Sequence, residues 1–184
     1  MTKARSVRGV AVALGALVLA AGCSDAADKK ADENACDPAP RTGEQVEEEV
    51  GALSSGVLDA MGIKAKVTDM KPMAGPYDGA SEKARTRIVR HPWSVHGVRN
   101  EVLQRGMDNL AVELPKRGWK IVKSGPDASR NRNLEVLAVH LKTRTQLEMT
   151  WMKGLDGHAA LISVDVYSRC FREPDRAERA AGEG

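Results

Sequence analysis

The chain has 184 residues, with 28 Lys and Arg against 25 Asp and Glu, and a net charge of +3. Its length suits one domain. One Phe, two Tyr and three Trp are too few rings for a platform that stacks bases or sugars, and the mild basicity leaves no nucleic-acid footprint.

Lys3, Arg5 and Arg8 form a positive head, and residues 10–21 are Ala, Val, Leu and Gly without interruption. A positive head, a short apolar core and a small-residue exit predict a secretory signal peptide over residues 1–22. The run is too short for a bilayer core, which needs roughly 20 apolar residues. It is apolar on every side, unlike a helix that packs one stripe on a core.

The character changes abruptly at Cys23, in "ALVLAAGCSDAADKKADE". The five residues "LAAGC" at 19–23 resemble the lipobox of bacterial lipoproteins. In that family Leu is preferred three places before the cysteine; here Ala20 holds that place and Leu19 stands one further back. The resemblance implies cleavage between Gly22 and Cys23, and diacylglycerol joined to the Cys23 thiol. Each buried methylene contributes about 0.8 kcal/mol, so one acyl chain holds marginally and two hold stably. The expected location is the extracytoplasmic face of the cell membrane, lipid-anchored, with membrane lipid as the first partner. Residues 1–22 carry three bases and no acid, so the remainder has 25 of each. The apparent basicity therefore belongs to the export signal.

A polar stretch follows, rich in Asp, Ala, Lys and Pro and without Val, Ile or Leu up to Pro40. It predicts that residues 23–41 are a lipidated cysteine and a disordered tether. A single α+β domain is expected over 42–172 and a flexible polar tail over 173–184. Beyond Cys23 there remain Cys36 and Cys170. An even pair in an exported domain suggests a disulfide fastening the start of the domain to its end. The alternative is two free thiols or a redox pair, though the latter usually has C-x-x-C spacing.

Thr42 and Gln45 match a capping box. After them Val46, Val50, Leu53, Val57 and Met61 recur every three or four residues, which predicts a helix. Glu44, Glu47, Glu48 and Glu49 favour its positive end, and Gly62 stops it. A strand is expected over 63–70, then a loop over 71–80 with two Pro and two Gly. A weaker strand over 84–90 is broken at Pro92. A second helix over 98–114 presents Val98, Val102, Leu103, Met107, Leu110, Ala111 and Leu114 on one broad face, closed by Pro115 and Gly118. A short strand over 119–123 and a turn-rich connection follow. The strand over 134–143 has Leu137, Val139 and Leu141 on one face. Residues 146–152 alternate, with Leu147, Met149 and Trp151 one way and Gln146, Glu148 and Thr150 the other. "KGLDG" turns the chain back. Residues 160–168 alternate again with Ile162, Val164 and Val166 inward, and Cys170 keeps their parity.

This order gives an α+β, two-layer fold: an antiparallel sheet of about four to five strands with two helices on one face. In layout it is similar to small lipoprotein domains of unknown function common in high-GC Gram-positive bacteria. No G-x-S-x-G, Walker loop, G-x-G-x-x-G, S-x-x-K or H-E-x-x-H occurs. His91 and His96 flank Trp93 in what reads as an exposed loop, and His140 falls on a strand, facing solvent. No catalytic, metal or cofactor residues are assigned. Residues 82–144 hold fourteen bases and six acids, so Arg85, Arg87, Arg90 and Trp93 form the expected binding surface. The expected function is a membrane-anchored extracytoplasmic binding or accessory module for an envelope protein, a wall polymer or a small ligand, with no nucleic acid. The alternative is a wall-directed hydrolase using His91, His96 and Asp165.

Overall fold

The capping box at Thr42 forms as expected: its hydroxyl accepts the Gln45 N–H and the Gln45 side chain accepts the Thr42 N–H. The structure is a computed structural model that describes residues 37–68, 70–77, 85–155, 157–175 and 178. The expected signal peptide, Cys23 and Cys36 lie outside the described residues. Helix α1 (Gly43–Met61) buries Val46, Val50, Val57 and Met61, and Gly62 ends it in the left-handed region at φ 59°. A side chain there would be strained, and glycine is the usual solution. Helix α2 (Asn100–Lys116) buries Leu103, Met107, Leu110 and Leu114. It includes Pro115 in its last turn, one residue beyond the expected end.

The strands are β1 (Asp37–Pro40), β2 (Lys66–Val67), β3 (Met73–Pro76), β4 (Thr86–His96), β5 (Trp119–Pro126), β6 (Leu134–His140), β7 (Gln146–Met152), β8 (Leu161–Tyr167) and β9 (Phe171–Arg172). The fold is α+β. Among the described residues its sheet has nine strands, not four or five, in the order β1-β9-β4-β8-β7-β6-β5, with β2 and β3 both pairing with β4. Of these strands only β1 runs parallel to its neighbour, β9. The strands not expected are β1, β3 and β9. Residues 37–40 pair with β9 although they lie in the expected tether. Pro38 and Pro40 offer no ladder donor, which is tolerated only at a sheet edge. Within 63–70 only two residues form a strand, and the expected loop contains β3.

The largest difference from expectation is at Pro92. There the 84–90 strand should have ended, yet β4 runs through it to His96. Alternation explains this. The Thr68 N–H donates to the Ser94 carbonyl at 3.1 Å, and the Ser94 N–H donates to Thr68 Oγ1 at 2.8 Å. Backbone groups of even-numbered β4 residues thus point away from β8. Pro92 lies between the segment paired with β3 and the segment paired with β2, so its missing N–H costs no ladder bond.

One strand parity makes the core. Val89, Trp93 and Val95 of β4, Leu147, Met149 and Trp151 of β7, and Ile162, Val164 and Val166 of β8 are all buried. Trp93 Nε1 donates to Ser54 of α1 at 2.7 Å, and Trp151 Nε1 donates to Asn100 of α2 at 3.1 Å. Both of these indoles therefore keep a partner, which offsets the cost of burying their N–H groups. On β6 the buried residues are Val136 and Ala138; Leu137 and Val139 do share a face, but it is the opposite one. Beyond β8 the chain kinks, and Ser168 spans the kink: its N–H donates to the Val89 carbonyl at 2.9 Å and its hydroxyl accepts the Val89 N–H at 3.0 Å. Cys170 follows, 4% exposed, just before β9.

Candidate functional site: a groove on the second sheet face

The residues between those core positions point the other way. Register sets them side by side: Met73 faces Arg90, Gly75 faces Ile88, Arg90 faces Tyr167, and Asp165 has Pro92 on one side and Glu148 on the other. Residues 73–77 with Ile88, Arg90, Pro92, Glu148 and Tyr167 line a groove of about 690 Å³, and Asp165 lies beside it, between Pro92 and Glu148. Two smaller hollows, of about 380 and 160 Å³, lie beside the β7–β8 connection and beside His91.

Charge in the groove is organised. The Arg90 guanidinium pairs with Asp165 across β4 and β8. Glu148 has no ion pair among the described residues, although it stands directly opposite Asp165. Like charges placed so are mildly unfavourable. The other Asp165 oxygen, Oδ1, is buried without a hydrogen bond among the described residues. Burial first, and then the carboxylates of Glu148 and Asp165, hold the Tyr167 hydroxyl above its ordinary range.

The edge of the groove is shut to another strand. On β3 the Tyr77 N–H reaches inward to the Thr86 carbonyl, so the outward positions are Ala74 and Pro76. The Ala74 N–H is taken by Glu47 at 2.8 Å, and Pro76 has none. At the far edge, β5 carries Lys120 and Lys123, a register shift between Ile121 and Lys123, and Pro126. These features discourage strand addition.

The expected binding surface does not assemble. Only Arg90 borders the groove. Arg85 pairs with Asp175 at 3.2 Å and Arg87 with Glu173 at 3.3 Å, so the first residues of the expected tail are fastened to the domain. Such exposed pairs contribute about 0–1 kcal/mol each. Trp93 faces α1, on the side opposite Arg90. The residues that sequence reasoning missed are Met73, Tyr77, Glu148 and Tyr167. For Glu148 the signal was present, because alternation put it outward; nothing local tied it to β3.

His91 and His96 sit on β4, not on a loop. His91 has the core parity and its Nε2 lies 2.8 Å from the Met70 carbonyl oxygen. His96 points to the groove face, four residues from Pro92, the partner of Asp165, which is about 13 Å along a strand. The three residues of the hydrolase alternative therefore do not converge. His140 is half-buried rather than solvent-facing. Its ring meets the Trp119 ring edge-on at 5.2 Å, and its Nδ1 lies 2.9 Å from Thr143 Oγ1.

Burial lowers the His140 pKa below its ordinary 6.5. The fold thus favours the neutral ring. This stability is present above pH 6.5 and is lost as pH falls below it, because the unfolded chain takes up the proton first. Thermal unfolding of the unchanged chain and His140→Gln, compared between about pH 5 and 8, should show a steeper acid loss in the unchanged chain. Equal slopes would remove His140 from the acid response.

Among the described residues no group of three His, Cys, Asp or Glu could hold a metal ion, and no helix is long and apolar enough to cross a membrane. Comparison with family models, curated proteins and solved structures finds no match to this chain.

Proposed function

We propose that this chain is a lipid-anchored binding module of the extracytoplasmic membrane face, held by acylated Cys23, with the groove between β3, β4, β7 and β8 as its working surface. In this reading the domain has two layers. Both helices cover one sheet face, and the other is left for a ligand or partner. One observation carries the binding half. The groove combines apolar walls, two tyrosines and a carboxylate with no ion pair among the described residues, on the face turned away from Ser54 and Asn100, the helix residues that hold the core tryptophans. That mixture suits recognition of a small ligand or an exposed group on a wall polymer or envelope protein. The anchoring half is supported by the positive head, the apolar run and "LAAGC".

Two measurements test the two halves. The intact mass of protein extracted from its native membranes should correspond to a chain beginning at Cys23 and carrying a diacylglyceryl group. A chain that keeps residues 1–22 without lipid overturns the anchor. A photo-crosslinking residue in place of Tyr77 should give an adduct in intact cells, whereas the same residue in place of Val112, exposed on α2, should not. Equal labelling from both positions, or none from position 77, overturns the groove as the working surface.

A further inference from the structure

Among the described residues the charges at the groove do not cancel. Arg90 pairs with Asp165, and Glu148, directly opposite Asp165, has no ion pair there. The described residues of these three strands thus leave one carboxylate over, beside two tyrosine rings. Met73 and Tyr77 are substantially exposed for apolar side chains, at 62% and 38%, and they lie on the wall across β4 from Tyr167. An anionic ligand gains little here, since the one guanidinium is already held by Asp165. A cation gains a carboxylate and aromatic faces together, the combination that recognises ammonium groups. The Tyr167 hydroxyl is raised first by burial, and Glu148 and Asp165 add to that.

Resting on the groove being the working surface, we infer that its ligand carries an ammonium group on an apolar or aromatic body, with the ammonium set on Glu148 and the body against Met73 and Tyr77. The unfavourable facing of Glu148 and Asp165 then has a purpose, because a bound cation relieves it.

Three probes of one shape separate charge from shape: 2-phenylethylammonium, 2-phenylethanol and 3-phenylpropionate. The whole membrane-extracted chain, labelled at methionine methyls, provides reporters. Met73 lies on the groove wall. Met152 lies on the same sheet face, four residues along β7 from Glu148, roughly 13 Å away. The ammonium probe should shift the Met73 methyl in a saturable way and leave Met152 unmoved. Glu148→Gln should weaken that binding about tenfold or more, the loss typical when a charged hydrogen-bond partner is removed. The neutral and anionic probes should shift Met73 little. Equal response to all three probes, or unchanged binding in Glu148→Gln, overturns the ammonium preference while leaving the groove a binding surface. No response to any probe also overturns it, and crosslinking from position 77 then judges the groove by itself.

Discussion

Gly154→Ala should lower stability by about 3–5 kcal/mol, the largest loss expected from any single methyl added to this domain. Gly154 follows β7, at φ +72°. A Cβ at this position meets the His158 carbonyl oxygen at 2.5 Å and the Ala160 nitrogen at 2.6 Å. The left-handed conformation alone costs an L-residue roughly 1–2 kcal/mol. Overpacking adds about 1–3 kcal/mol, toward the upper end here, since both close atoms are backbone and cannot rotate aside. The connection has little freedom to move as a whole. Asn100, at the start of α2, donates to the Lys153 carbonyl at 3.0 Å and accepts from Trp151 at 3.1 Å. Shifting the loop therefore pulls on a buried indole and on the helix start. Gly157→Ala is the comparison. Gly157 also has a positive φ, +83°, yet nothing lies within 4 Å of its added Cβ. It should cost only the conformational part, about 1–2 kcal/mol. Thermal unfolding should place Gly154→Ala on the order of 10 °C below the unchanged chain, with Gly157→Ala much closer to it. Equal shifts would mean that the close backbone contacts are relieved at little cost.

The parts of this fold legible in the sequence were those written in short-range pattern. The first helix, its cap and its glycine stop depend on residues within a few positions of one another. So does the alternation of 146–152 and 161–167, which sorts core from surface correctly. Position 92 is not legible locally, because a proline's effect depends on which neighbour its nitrogen faces. That is decided by β2, β3 and β8, up to 73 residues away in the pairing Pro92↔Asp165. The same reasoning explains β1 and β3. Both are short, rich in Pro or Gly, and become strands only because β9 and β4 supply partners. On β6 the apolar residues Leu137 and Val139 lie on the groove face while Val136 and Ala138 are buried. With apolar residues on both faces, parity alone does not tell inward from outward.

The candidate site was less legible still. Arg90, Glu148 and Tyr167 come from three strands and are neighbours only through register. Charge counting along the sequence singled out 82–144 as basic, but Arg85, Arg87 and Arg90 each meet a carboxylate from beyond residue 164. Three of the local bases thus meet carboxylates from β8 and the segment after β9, and among the described residues the groove keeps a carboxylate without an ion pair. Composition over a window reports charge without reporting who neutralises it.

Cys36→Ser, Cys170→Ser and the double variant should share one reduced denaturant midpoint. The reason lies in the register of the parallel pair, β1 and β9. Asp37 faces Phe171, and Cys36 and Cys170 are the residues immediately before them in sequence. A cysteine that precedes Asp37 is thus next in sequence to a residue paired with the neighbour of Cys170, and a disulfide needs α-carbons within roughly 4.4–6.8 Å. Cys170 is 4% exposed, so a bridge there is sheltered from reductant. We propose the Cys36–Cys170 disulfide on this basis; if Cys23 is acylated as proposed above, these two are the available pair. The bridge closes a loop containing nearly the whole domain, for which loop-closure entropy gives roughly 5 kcal/mol. If the two cysteines act only as one bond, breaking it from either end has the same consequence, and breaking it from both adds nothing. Reduction of the unchanged chain should raise its intact mass by two hydrogens and move its midpoint to that of the variants. If the two single losses instead add in the double variant, or if Cys170→Ser destabilises while Cys36→Ser does not, the residues act separately. The start of the domain would then be held to its end by the β1–β9 ladder alone.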